Sequence, residues 1–476
     1  MNTFNKKSLY VALASLGALG VTGAAQAVNV NPDGLGQALI YPYYTTQNKT
    51  AGTNPYNSLL SVVNSTATAK VVKVRFLEGK ASKEVLDFNL WLSKFDVWTA
   101  AIIPSGTGAG IFTTDLSCTT PKVSAIAGSP TNFVNYAFAG DPLPQTLDRT
   151  KEGYVEIVEM GDLTGATATA ITHAQPSPPG VPPGCASLPT GATPPTDLVP
   201  GKGGLFGGMT LINVLAGEDY TSDATPLANF SATTLWAAAG SILPDLSQVN
   251  PKTSVVFNNN AVVTTSWALS SNTVDAVSAV LMRDNVYNEF VLDAATKSGT
   301  DWVVTFPTKH FYYAGNTVTK LFQRNLTASG ACDDVLITQF NREEQTVVNV
   351  AGFSPPAPTG TDSICWEANV ITFNASSVLG SVNVANIPTA FPNGWVSLNL
   401  SSAPHSLVGG ATVTASINVL TGAVTSVNTA SATYIGLPVI GFAVQSFSNG
   451  VLPSGATTVL SNYGGDFGHR YTRNIQ

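Results

Sequence analysis

Charge is scarce in this chain. Asp, Glu, Lys and Arg make up 11% of its 476 residues, with a formal net charge of −7, against about 25% charged residues in an ordinary soluble domain. Nucleic-acid binding rests on clustered Lys and Arg, so a sparse, net acidic chain argues against that partner. Hydrophobic residues still reach 44%, enough to build a core and to exclude a disordered tail. Ser, Thr, Asn, Gly and Ala take the place of the missing charge. Such a surface repels copies of itself weakly and offers neutral hydrogen-bonding groups, which suits side-by-side assembly.

Long apolar runs are lacking as well. The first is Leu9 to Val21, preceded by Lys6 and Lys7 and closed by Ala25-Gln26-Ala27. It falls short of the ~20 residues a spanning helix needs. Residues 1–27 therefore read as a secretory signal peptide with an A-x-A cleavage site after Ala27. No later stretch is long enough for a transmembrane segment, and the sustained alternating strands of an outer-membrane barrel are missing. The expected location is exported: cell surface, extracellular or periplasmic.

Catalytic spacing is also missing. The four histidines, His173, His310, His405 and His469, are scattered. The mature chain has no G-x-S-x-G elbow, no H-E-x-x-H, no G-x-x-x-x-G-K and no D-x-D-x-D-G loop. Asp333-Asp334 and Glu343-Glu344 are adjacent acidic pairs. Neighbours on a strand point to opposite faces, so they read as solvated turn or edge charges rather than a carboxylate dyad. No catalytic, metal or cofactor-binding residue is assigned, and the chain is expected to be no enzyme and to need no cofactor.

Cysteine is rare but even in number: Cys118, Cys185, Cys332 and Cys365, with no C-x-x-C pair. In an exported chain this favours two disulfides. Four cysteines allow three connectivities, and the count does not choose among them. The pairs Cys118–Cys185 and Cys332–Cys365 are preferred because shorter loops close more easily and "SPPAPTGTDS" can turn the second loop back.

What the chain does contain is strand pattern. Val72, Val74 and Phe76 alternate with Lys73, Arg75 and Leu77; Phe88, Leu90 and Leu92 alternate with Asn89, Trp91 and Ser93. With a turn at Glu78-Gly79-Lys80, this is a β-meander signal. "EGYVEIVEMGDL" is a further strand, which "GGMTLINVLAG" is expected to join. "TSVVFNNNAVVTTSW" reads as a hairpin about Asn258–Asn260. Residues 174–204, rich in Pro and Gly, should carry no sheet and form an inserted loop stapled by Cys185. The one helical pattern is Asp275 to Met282, with Thr273 as N-cap. The expected fold is all-β, an antiparallel β-sandwich in two sandwich-like units with a short helix near 274–283. The expected division is a β-sandwich domain at 28–320 and a second β-rich domain, or continuation of the sandwich, at 321–476.

Two aromatic stretches stand out. In "GTDWVVTFPTKHFYY", 299–313, a buried strand should run through Pro307 into an edge strand, with Lys309 and His310 pointing apart. "YPYY" holds Pro42 and reads as another edge strand. Tyr41, Tyr43, Tyr44, Phe311, Tyr312 and Tyr313 are the candidate contact surface for a neighbouring subunit or a glycan.

"GLGQALIYPYYT", "LLSVVNST", "VKVRFLEGKASKEVLDFNLWLSKFDVW", "TDWVVTFPTKHFYY" and "GLPVIGFAVQSF" together resemble a group of exported proteobacterial cell-surface proteins of uncertain function. The resemblance implies export and a surface role and carries no catalytic residues. In texture the chain also resembles S-layer and adhesin-type proteins. The expectation is a secreted, non-catalytic envelope or surface protein of a Gram-negative cell, acting by self-association or adhesion to envelope components. The alternative is an extracellular carbohydrate-binding module or polysaccharide-active enzyme.

Overall fold

The computed structural model describes residues 26–49, 54–174, 180–270, 272–313, 321–322, 324–348, 362–401, 405–417, 424–454 and 457–476. The expected signal segment lies outside them except for Gln26 and Ala27. The alternation around Phe76 and Phe88 does form a hairpin. Ala69–Glu78 and Glu84–Leu92 pair antiparallel from Lys70 opposite Leu92 to Leu77 opposite Glu84. Glu78 builds the turn itself, its carboxylate accepting from the Lys80 amide at 2.9 Å and the Ala81 amide at 2.8 Å.

This hairpin belongs to an eight-stranded sheet. Its order is Asn29–Val30, Thr225–Ala228, Ala38–Thr45, Glu152–Leu163, Ala69–Glu78, Glu84–Leu92, Cys118–Thr120, with Leu198–Val199 beside Glu152–Leu163. A seven-stranded sheet runs Glu218–Asp223, Gly208–Asn213, Asn57–Asn64, Val97–Ser105, Gly108–Phe112, Thr131–Asn132, with Leu205–Phe206 on Asn57–Asn64. Side chains of both, among them Tyr41, Phe76, Phe88, Trp98 and Leu211, share one buried cluster. That is the packing of a β-sandwich. Gly208–Asn213 therefore pairs with Asn57–Asn64 and Glu218–Asp223, not with residues 154–160 as its sequence suggested.

Every strand of these two sheets comes from residues 29–228, and every strand of the remaining sheets from 253–475. The second set includes the expected hairpin Thr253–Asn258 with Ala261–Ser266. It also holds Gly299–Thr305 between Ala368–Phe373 and Ile440–Ser454. The strands thus divide across 229–252 rather than at 320, because Gly299–Thr305 finds both its partners beyond that point. The cores do not divide. Leu77, Tyr154 and Val158 lie in one buried cluster with Val277, Trp302 and Phe306. Val303, Val370 and Phe442 join the core of the first sandwich.

Three local expectations change. Ala38–Thr45 is an interior strand although it contains Pro42. Between the pairs Gly153–Tyr44 and Val155–Tyr41, Pro42 and Tyr43 oppose Tyr154 alone. The ladder bulges there, and proline is tolerated at a bulge. The helix, Asp275–Leu281, is present, but Val274 is its N-cap and no side chain caps it. Asp275 is buried and accepts instead from the Tyr312 hydroxyl at 2.6 Å. Within 174–204, Leu198–Val199 does pair with Asp162–Leu163. Residues 175–179 lie outside the described set.

The disulfides are Cys118–Cys185 and Cys332–Cys365, with Cα atoms 5.2 and 3.7 Å apart. No cysteine is free, which fits a chain that matures in an oxidising compartment. No helix among the described residues is long and apolar enough to cross a membrane.

Candidate functional site

The six aromatics expected at a contact surface do not form one. Tyr41, Tyr43 and Tyr44 are fully buried. Their hydroxyls donate to Ser61 O at 2.8 Å, Glu152 Oε2 at 2.6 Å and Thr150 O at 3.2 Å. Such inward partners are what a buried tyrosine needs. Tyr312 is buried against Asp275 and Ser278. Phe311 and Tyr313 are half-buried, and the Tyr313 hydroxyl donates to Glu367.

The chain around Lys309 and His310 is no edge strand. Gly299–Thr305 ends before Pro307, and Lys309–Tyr312 forms a 3-10 turn. Lys309 is fully buried, its Nζ 2.9 Å from Asp333 Oδ2 and over the rings of Phe306 and Phe322. Asp333, expected at a solvated edge, is buried with it. His310 turns to a different carboxylate, with Nδ1 3.9 Å from Glu367 Oε2. His173 faces Asp96, His405 two backbone carbonyls, and His469 Val303 and Asn288. Each histidine has its own partners. Among the described residues no group of three or more His, Cys, Asp or Glu is placed to hold a metal ion.

Two surface features stand apart from this interior. The first is an edge. Val424–Thr429, "VTSVNT", is the outermost strand of the sheet Thr253–Asn258, Ala261–Ser266, Thr412–Ile417, Val424–Thr429. Among the described residues it pairs on one side, from Thr412 opposite Thr429 to Ile417 opposite Val424. Residues 425–429 are exposed, and Val427 is 60% exposed. Proteins usually protect such an edge with Lys, Pro or a bulge. This strand has none of them and is rich in β-branched Val and Thr, which favour extended structure.

A signal for this edge was present in the sequence. From Ala368 to Gly465 there are 98 residues without one Asp, Glu, Lys or Arg. An average charge content hides so local a gap.

The second feature is an aromatic face. Asp333–Phe340, Asn393–Asn399, Asn285–Val291 and Arg470–Thr472 lie side by side. Phe340 is opposite Trp395, Trp395 opposite Glu289, and Ser397 opposite Tyr287, which is opposite Arg470. Period-two alternation turns Val335, Ile337, Val396 and Leu398 inward and leaves this set outward. Phe340 and Trp395 stack with ring centroids 4.2 Å apart and planes 11° apart, and Tyr287 is 6.2 Å from Trp395. Trp395 stays 39% exposed.

The chain matches no protein-family model, no curated protein and no solved structure.

Proposed function

We propose that this is an exported, non-catalytic protein of the cell envelope or cell surface that self-associates by adding strands at the Val424–Thr429 edge. The observation that carries the reading is that edge, uncharged and unprotected, within a 98-residue run free of charge. An incoming strand would satisfy its outward N–H and C=O groups, and neither copy's Val424–Thr429 strand carries a charge to oppose the approach. Secretory cleavage after Ala27 fits the same reading. It would keep the backbone pairing of Val28 with Ser254 and remove Ala27 from its cluster with Val255, Val262 and Ala415.

The test is Val427→Lys. Val427 is largely exposed, so the monomer should change by less than about 0.5 kcal/mol. Paired edges would bring lysines of two copies to within about 5 Å, a repulsion of about 1–3 kcal/mol, or roughly 5- to 150-fold in affinity. Sedimentation velocity through the micromolar range should show association of the wild type and its loss in the variant. A wild type that stays monomeric and binds no envelope fraction would overturn the proposal, as would a variant that associates equally well.

The Phe340–Trp395–Tyr287 face favours a second reading, a glycan platform. Stacked rings amid Thr338, Ser397 and Asn399 offer the flat apolar surface and neutral polar groups a sugar ring needs. Loss of polysaccharide binding in Trp395→Ala, with association intact, would support it.

A further inference from the structure

Buried cations in this protein come with carboxylates. Lys70 lies between Glu159 and Asp162, Arg75 between Glu84 and Glu156, and Arg149 between Glu78 and Asp141. Arg283, with the partly buried Arg473 beside it, breaks the pattern. Arg283 is 6% exposed. Its Nη1 donates to the carbonyls of Val280 at 3.2 Å and Met282 at 2.7 Å. Arg473 Nη2 donates to the same Val280 carbonyl at 2.9 Å, and its Nη1 to Phe257 O at 3.2 Å. Arg473 Nε is buried without a partner among the described residues. The Tyr471 ring lies 3.7 Å from the Arg283 guanidinium and 5.4 Å from that of Arg473.

Two positive charges thus meet at the C-terminal end of the Asp275–Leu281 helix. A helix C-terminus supplies roughly half a negative charge. That leaves the pair short of about one and a half negative charges. Arginine does not escape by losing its proton. Burial, and then the neighbouring Arg473, push the Arg283 pKa well down, which is the signature of a charge held without its counter-ion.

Beside Arg283 lies a cleft of about 200 Å³. Its lining includes the apolar Val30, Val286, Val439 and Ile440, and the polar Arg283, His469 and Tyr471. Arg283 Nε and Nη2 make no hydrogen bond among the described residues. His469 supplies no second charge: its Nε2 donates to Val303 O at 2.9 Å and its Nδ1 accepts from Asn288 at 3.0 Å. Burial lowers its pKa to about 4. At about 30 Å³ per water in the liquid, the cleft holds the equivalent of six or seven waters, or a chain of a few carbons.

We propose that this cleft binds a small monocarboxylate with an apolar body. The carboxylate meets the free edge of Arg283, whose planar fork matches it. The hydrocarbon lies against Val30, Val286, Val439 and Ile440.

The probe is sodium hexanoate, compared with 1-hexanol and with sodium sulfate at matched ionic strength. Thermal-unfolding midpoints and titration calorimetry are the readouts. Hexanoate should raise the wild-type midpoint, and the other two should not. Arg283→Met should weaken hexanoate binding at least tenfold. Val30→Phe keeps the guanidinium and places a bulky ring in the cleft's lining; it should also abolish the response, and it decides the matter if Arg283→Met fails to fold. The proposal is overturned by a wild type that ignores hexanoate, by an equal response to hexanol or sulfate, or by a response that survives Val30→Phe.

Discussion

Replacing Glu156 with Gln should stabilise the protein at pH 8 and leave it unchanged at pH 4. Glu156 is fully buried in the Glu152–Leu163 strand. Its Oε2 accepts from Arg75 Nη1 at 2.6 Å, and its Oε1 has no partner among the described residues. Arg75 divides its charge between Glu156 and Glu84. Burial therefore outweighs the attraction of Arg75 and raises the Glu156 pKa from 4.5 to about 7. Below pH 4.5 the carboxyl is protonated whether folded or unfolded, and Gln is a fair copy of it. As pH rises towards 7 the unfolded chain releases the proton while the folded chain retains it, so stability falls. Above pH 7 the full loss has accrued. A difference of about 2.5 pH units at 1.36 kcal/mol each gives about 3 kcal/mol. Gln carries no such penalty. His469 acts in the opposite sense, since its lowered pKa costs stability as pH falls from 6.5 through about 4. Subtracting wild type from variant removes its contribution. Urea midpoints between pH 4 and 8 should thus give a difference near zero at the acid end that grows through pH 7. A flat difference, or a variant weaker than wild type at pH 8, would refute the reasoning and mean that Arg75 holds Glu156 ionised.

Lys70→Met should cost about 3–5 kcal/mol, because it strands Glu159 and Asp162 in the interior. Chemical denaturation measures it, and neutralising both acids in the same chain should restore most of the loss. Cys118→Ser with Cys185→Ser opens a link across a sequence separation of 67. It should cost about 4 kcal/mol by the chain-entropy account, and protease should cut first between residues 180 and 204. Cutting elsewhere first would show that the staple does not hold that loop.

The readable parts of the sequence were those governed by local chemistry. The hairpin around Gly79, the hairpin around Asn258–Asn260, the helix at Asp275–Leu281 and the all-β class follow from period and turn residues. The cysteine pairing followed from loop length and turn content. The candidate site was harder. Tyr41, Tyr43 and Tyr44 looked like an edge because Pro42 lacks a donor, yet a bulge opposite Tyr154 absorbs it. Phe340, Trp395 and Tyr287 are remote in sequence, and only strand register makes them neighbours.

Alternation around Val72 and Lys73 separates two faces of a strand, since successive side chains point oppositely. That much belongs to the chain alone. It does not tell what covers each face. Here Val72, Val74 and Phe76 enter the sandwich core. Lys73, Arg75 and Tyr154 are covered too, in part by Ala238 and by Pro307. Covering comes from segments far along the chain, so no local pattern encodes it. Once the cover is in place, each charge beneath it must find a counter-charge or go without. Lys73 finds Asp87 and Arg75 finds two glutamates. Among the described residues, Arg283 and Arg473 meet carbonyls and a tyrosine ring but no carboxylate. The inventory of charges is written in the sequence; their pairing is a property of the packed layers.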